Sequence, residues 1–143
     1  MSEAELQMAV ADYIRMQYPN VLFHSDFGSG VKLTMGQAAK QKRMNGGRRA
    51  WPDMFIAEPS VETDPFKPLG VKAYGLFIEL KKAGTRIVKA RAPDEWASQH
   101  IAEQAALLRE LRSKGYVAEF AVGFDEAKEI IDKYLGGGGK YGK

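Results

Sequence analysis

The chain has 143 residues, 45% of them hydrophobic and 27% charged, a size and balance that fit one soluble globular core. No apolar run approaches the roughly 20 residues that a membrane-spanning helix needs, and the polar, acidic start MSEAELQ resembles neither a signal peptide nor a transit peptide. Cysteine is absent, which excludes disulfides, thiolate metal sites and cysteine nucleophiles and fits a reducing cytoplasm; the two histidines, His24 and His100, are too few for a histidine-rich zinc centre.

In chain order, residues 3–18 read as a helix with Leu6, Val10, Tyr13, Ile14 and Gln17 on one stripe, opened by a Ser2/Glu5 capping box. Pro19 and Asn20 end it, and residues 21–24 read as a short strand. Residues 28–49 are rich in Gly, Lys and Arg and read as a long basic loop with a short helix over 35–43. A strand over 53–57 follows the Trp51-Pro52 turn, and the proline-rich stretch 58–71 reads as a hairpin connection or surface excursion. Residues 74–82, YGLFIELKK, carry the strongest strand pattern. Pro93-Asp94 is expected to open a long helix running to about Ser113, closed by Lys114-Gly115. Residues 116–122 read as a further strand, and Asp125 is expected to cap a last helix reaching Leu135. The expectation is one domain over 1–135 and a flexible Gly-rich tail over 136–143. The order helix, three strands, helix, strand, helix describes an α/β domain, and its terminal crossover requires at least one parallel strand pair.

Charge is distributed unevenly. The net charge is only +3, but Lys40, Lys42, Arg43, Arg48 and Arg49 fall in a stretch without an acid, and Lys81, Lys82, Arg86, Lys89 and Arg91 form a second basic run. Such clusters either coat a solvated face or attract the phosphates of a nucleic acid.

At three places polar residues stand where burial favours apolar ones. In the strand over 74–82, alternation puts Leu76, Ile78 and Leu80 on one face and Phe77, Glu79 and Lys81 on the other. A carboxylate and an amine then leave one strand side by side, either as a surface ion pair or as half of a site. Asp53 starts its own strand after a proline turn. If the two strands are neighbours, Asp53 and Glu79 meet, and their repulsion is relieved by a proton or by a hard divalent cation, which prefers oxygen ligands. Gln104 lies on the apolar stripe of the long helix with Ile101, Ala105, Leu108 and Leu111, where a core-facing amide needs partners. His100, one turn earlier, either approaches the same site or is a half-exposed helix residue.

Pro52-Asp53 followed by Glu79-Leu80-Lys81 on the next strong strand resembles the PD-(D/E)XK nuclease signature. With Gln104 and the basic stretch before Trp51-Pro52-Asp53, the chain is similar to the VRR-Nuc branch, the virus-type replication and repair nucleases. The resemblance spans residues 3–135 and implies an αβββαβ core with a mixed central sheet flanked by helices. It further implies a Mg2+- or Mn2+-dependent deoxyribonuclease acting on branched, flap or junction DNA in a bacterial or phage-infected cell. Carried over, Asp53 and Glu79 are the metal-binding carboxylates and the Leu80 backbone carbonyl a further ligand. Lys81 orients or activates the attacking water, and Gln104 positions Lys81 or that water. The family's acid on the first helix falls on Glu5, with Glu3 as alternate. Lys40, Lys42, Arg43, Arg48, Arg49, Lys82 and Arg86 are the expected DNA-backbone contacts. Trp51 departs from the pattern, which has a small residue before Pro-Asp in many relatives; it either stacks on a base or covers the core. Symmetric cutting of a branched junction suits a homodimer. The alternative readings are a non-catalytic DNA-binding module and a partner-binding protein whose basic clusters serve solubility.

Overall fold

A mixed four-stranded sheet, of order β1-β2-β5-β8, organises the computed structural model, which describes residues 1–26 and 32–136. Part of the basic stretch, 27–31, and the tail from 137 onward lie outside the described residues. The first helix, α1 (Glu3–Gln17), starts at the Ser2/Glu5 capping box read from the sequence, with both reciprocal hydrogen bonds formed. The first strand, β1 (Phe23–Ser25), begins two residues later than expected because the Val21 N–H still donates to the Tyr18 carbonyl in the turn after the helix. The helix α2 (Met35–Met44) follows, capped by Thr34 and Gln37; none of its residues is buried. Next come β2 (Met54–Ile56), a small hairpin of β3 (Ser60–Val61) and β4 (Val71–Ala73), and β5 (Leu76–Lys81).

Strands β1, β2 and β5 run antiparallel, with Met54 opposite Ile78 and Ile56 opposite Leu76. From β5 the chain crosses over through α3 (Gln99–Ser113) to β8 (Val117–Val122), which pairs parallel to β5 with Glu79 opposite Phe120. The last helix is α4 (Phe124–Tyr134). Helices α1 and α4 cover one sheet face through Leu6, Val10, Ile14 and Ile131 against Met54, Ile56, Leu76, Ile78 and Leu80. Helix α3 covers the other through Leu107, Leu108 and Leu111 against Ala118, with Phe77, Tyr116 and Phe120 at its margin. A strand buried on both faces explains why residues 76–80 read as a nearly continuous apolar run.

Two expected boundaries are corrected. Pro93-Asp94 does not open the long helix: residues Ala92–Trp96 form β7, paired antiparallel with β6 (Val88–Lys89) in an edge hairpin. A proline donates no backbone hydrogen bond and is tolerated on such an edge. The helix is capped instead by the Ser98 hydroxyl, which accepts from the Ile101 N–H at 3.2 Å. Asp125 does not cap α4 either. That position is Gly123, at φ 85, a conformation that favours glycine, and Asp125 lies in the first turn where its charge complements the helix dipole. Among the described residues, no helix is long and apolar enough to cross a membrane.

Candidate active site

Four polar or charged side chains are buried among the described residues: Asp53, Glu79, Lys81 and Gln104. Three elements bring them together. Asp53 immediately precedes β2, one residue before Met54, which faces the α1/α4 layer, so alternation turns the Asp53 side chain toward α3. Glu79 and Lys81 leave β5 on that same side. Gln104 comes down from the buried stripe of α3, between Ile101 and Leu108. The Pro52 entry sets Asp53 against the end of β5, where its Oδ2 accepts a hydrogen bond from the Leu80 N–H at 2.7 Å. The Asp53 carbonyl takes the Asp26 N–H at 2.8 Å, tying the end of β1 into the same corner.

The electrostatics are incompletely balanced by protein groups. Glu79 is 4% exposed, and its carboxyl is pushed well above the usual carboxylate range. Burial is the largest cause; the neighbouring Asp53, by charge and by hydrogen bonding, and Glu3 act in the same direction, and Lys81 opposes them. The Lys81 Nζ lies 4.0 Å from Glu79 Oε2, a long contact for an ion pair. Glu79 Oε1 and Gln104 Oε1 are buried with no hydrogen-bond partner among the described residues, a costly arrangement for a carboxylate and an amide.

These four side chains open into a cavity of about 200 Å3. Its rim holds Glu3 from the start of α1, Asp26 after β1, Gln41 and Asn45 from α2, Arg49 and Trp51 from the following segment, and His100 from the first turn of α3. His100 thus reaches the site. Glu5 does not line it: its carboxylate accepts the Ser2 N–H at 2.8 Å, and hydrogen bonding to Ser2 holds it below the usual carboxylate range. The capping box claims Glu5 and leaves Glu3, two residues earlier, on the cavity side. Among the described residues, no group of three or more His, Cys, Asp or Glu side chains is arranged as a metal-binding cluster. The carboxylate pair Asp53 and Glu79 is the densest acidic feature of the cavity.

Of the expected backbone-contact residues, Arg49 lines this cavity, and Lys42, Arg43, Arg48 and Arg49 line a second one formed by α2 and the segment after it. Lys40 and Arg43 on α2, Arg49 after it, and Lys82 and Arg86 after β5 are exposed, whereas Lys42 and Arg48 are half-buried. Arg48 is engaged by Glu110 of α3 at 2.6 Å, which fastens the segment after α2 to the body of the fold. Asp26, Gln41 and Asn45 were not singled out from the sequence. Gln41 in the last turn of α2 and Asn45 at its C-cap are four apart, which places them on one side of that helix end.

The sheet order and the crossover define an α/β fold with a mixed central sheet flanked by helices. A solved structure described as a VRR_NUC domain protein shares it, with 24% identity, a TM-score of 0.62, and coverage of 95% of this chain and 89% of that one. That likeness supports the VRR-Nuc domain fold expected from the motifs. No protein-family model and no curated protein matches the sequence.

Proposed function

We propose that the protein is a metal-dependent nuclease that hydrolyses phosphodiester bonds of DNA, branched or otherwise structured DNA being its preferred substrate. The observation that carries this reading is the buried Glu79 carboxyl, with one oxygen lacking a partner among the described residues, set beside Asp53 and within 4.0 Å of Lys81. An all-oxygen pair that repels itself and retains an unused lone pair fits a hard divalent cation, as two apolar or two singly paired residues would not. Asp53 and Glu79 would hold Mg2+ or Mn2+, with the Leu80 carbonyl and Glu3 as further oxygen donors. Such an ion supplies Lewis acidity toward a phosphoryl oxygen and lowers the pKa of bound water.

The remaining work falls to the chain's own groups. The Lys81 ammonium offers a fixed positive charge to the phosphate as negative charge accumulates on it. Gln104 supplies a carboxamide whose oxygen is free to accept a hydrogen from the attacking water or from Lys81. Arg49 at the rim, with Lys40, Lys42, Arg43, Lys82 and Arg86, holds flanking phosphates and sets register without reading sequence.

The test uses purified wild type and Lys81→Ala with labelled duplex, flap and four-way-junction DNA in magnesium, manganese or chelator. Metal-dependent products from wild type, reduced at least about 100-fold in Lys81→Ala with DNA binding retained, are expected. Full cleavage by Lys81→Ala would falsify the assignment, and binding without cutting on every substrate would leave a non-catalytic DNA-binding module.

A further inference from the structure

Trp51 is an exposed tryptophan inside an otherwise buried run. Ala50, Pro52, Asp53 and Met54 on either side are buried, whereas Trp51 is 37% exposed and lines the cavity that holds Asp53, Glu79 and Lys81. It is also held in place. Its indole N–H donates to the Asn45 carbonyl at 3.1 Å, and its ring lies 6.2 Å from that of Phe77. Phe77 in turn stacks on Phe55 at 4.4 Å and meets Tyr116 edge-on at 5.2 Å. Trp51 is therefore the outermost ring of an aromatic series rooted in the central sheet. An aromatic fixed in this way gives up little conformational freedom when a ligand stacks on it.

Resting on the nuclease reading above, we infer that Trp51 is a stacking platform for an unpaired nucleobase next to the scissile phosphate, and that it makes DNA with unpaired nucleotides at the cut site the preferred substrate. A base inside an intact duplex has both faces covered by its neighbours, so an indole can cover one only where a neighbour is missing, as in a flap, a fork or a single strand. Stacking is indifferent to base identity, because every base presents a π-face. Structural discrimination then arises without sequence reading. The simpler role, a lid over Phe77, asks only for an apolar side chain at position 51.

The chain has two tryptophans, so Trp96→Phe leaves Trp51 as the sole indole reporter. In chelator at low salt, this protein is titrated with a single-stranded oligonucleotide, a flapped duplex and a blunt duplex. Quenching of Trp51 emission by the first two, and little by the blunt duplex at saturation, is expected. In parallel, Trp51→Leu, which keeps an apolar cover on Phe77, should weaken binding of the single strand and the flap by about five-fold or more while leaving the blunt duplex within about two-fold. Trp51→Phe should retain part of the preference and provides the measurement if the leucine variant does not fold. Equal quenching by all three DNAs, or an equal loss for all three in the variants, overturns the stacking role and leaves the nuclease reading intact. Absence of binding to any DNA overturns both.

Discussion

A carboxyl group buried as deeply as that of Glu79 must be protonated, paired or coordinated. In metal-free protein its raised pKa means that the native state keeps a proton which the unfolded chain has already lost above the ordinary carboxylate range. Native protein then binds more protons than unfolded protein, so stability falls as pH rises, by up to about 1.4 kcal/mol per pH unit while a full proton separates the states. Urea unfolding in chelator from about pH 5 to about pH 8 should show this decline in wild type and a flatter profile in Glu79→Gln. A second expectation separates the two acids of the first helix turn. Glu3→Gln should weaken magnesium or manganese binding, read by calorimetry, by about ten-fold or more, and Glu5→Gln should leave it unchanged while loosening the Ser2 cap. Asp53, Glu79 and Lys81 were legible in the sequence because strand alternation leaves few ways to place three charges on one inward face. That Glu3 rather than Glu5 lines the cavity was not, because a cap and a cavity wall ask for the same residue type within the same turn.

Individual elements are held by a few identifiable contacts. Helices α1 and α4 are joined by Asp132, whose Oδ1 accepts from Tyr13 Oη and Tyr18 Oη, both at 2.6 Å, and whose Oδ2 accepts from Lys128 Nζ at 3.0 Å. Burial alone would push this carboxyl up, but the bonds from Tyr13, Tyr18 and Lys128 outweigh it and hold the group below the usual range. Its contribution is therefore present above the unfolded-state pKa and is lost as pH falls through the acid range. Asp132→Asn should lower unfolding free energy by about 1 to 2 kcal/mol near neutral pH, measured with denaturant, with the difference shrinking in acid. Most elements could be placed from periodicity and caps: α1, β5 and β8 fall within a residue or two of their expected bounds. The hairpin of β6 and β7 was hidden because Pro93-Asp94 has the composition of a helix start. The cap that operates, Ser98, is chosen by tertiary docking of the stripe from Ile101 to Leu111. Gly123 was passed over for Asp125 because a positive φ leaves no trace in hydrophobic pattern.

For the molecule as a whole, positive charge is concentrated in α2 with the segment after it and in the loop after β5. Duplex affinity should therefore fall steeply with salt, each phosphate contact adding about 0.9 to the slope of log affinity against log salt. The triple variant Lys40→Ala, Lys42→Ala, Arg43→Ala should lower that slope by about two to three units and weaken binding equally on unrelated sequences, measured by fluorescence anisotropy.

The parallel pairing of β5 with β8 has a consequence in time. Strands β1, β2 and β5 pair antiparallel in sequence order, but Glu79 reaches its neighbour Phe120 only after the intervening chain has closed, and that same closure delivers Gln104 on α3. Long-range parallel contacts are intrinsically slow to form. A partly folded chain therefore carries both carboxylates and the lysine without Gln104, and on the nuclease reading proposed above, cleavage of DNA would wait on completion of the fold.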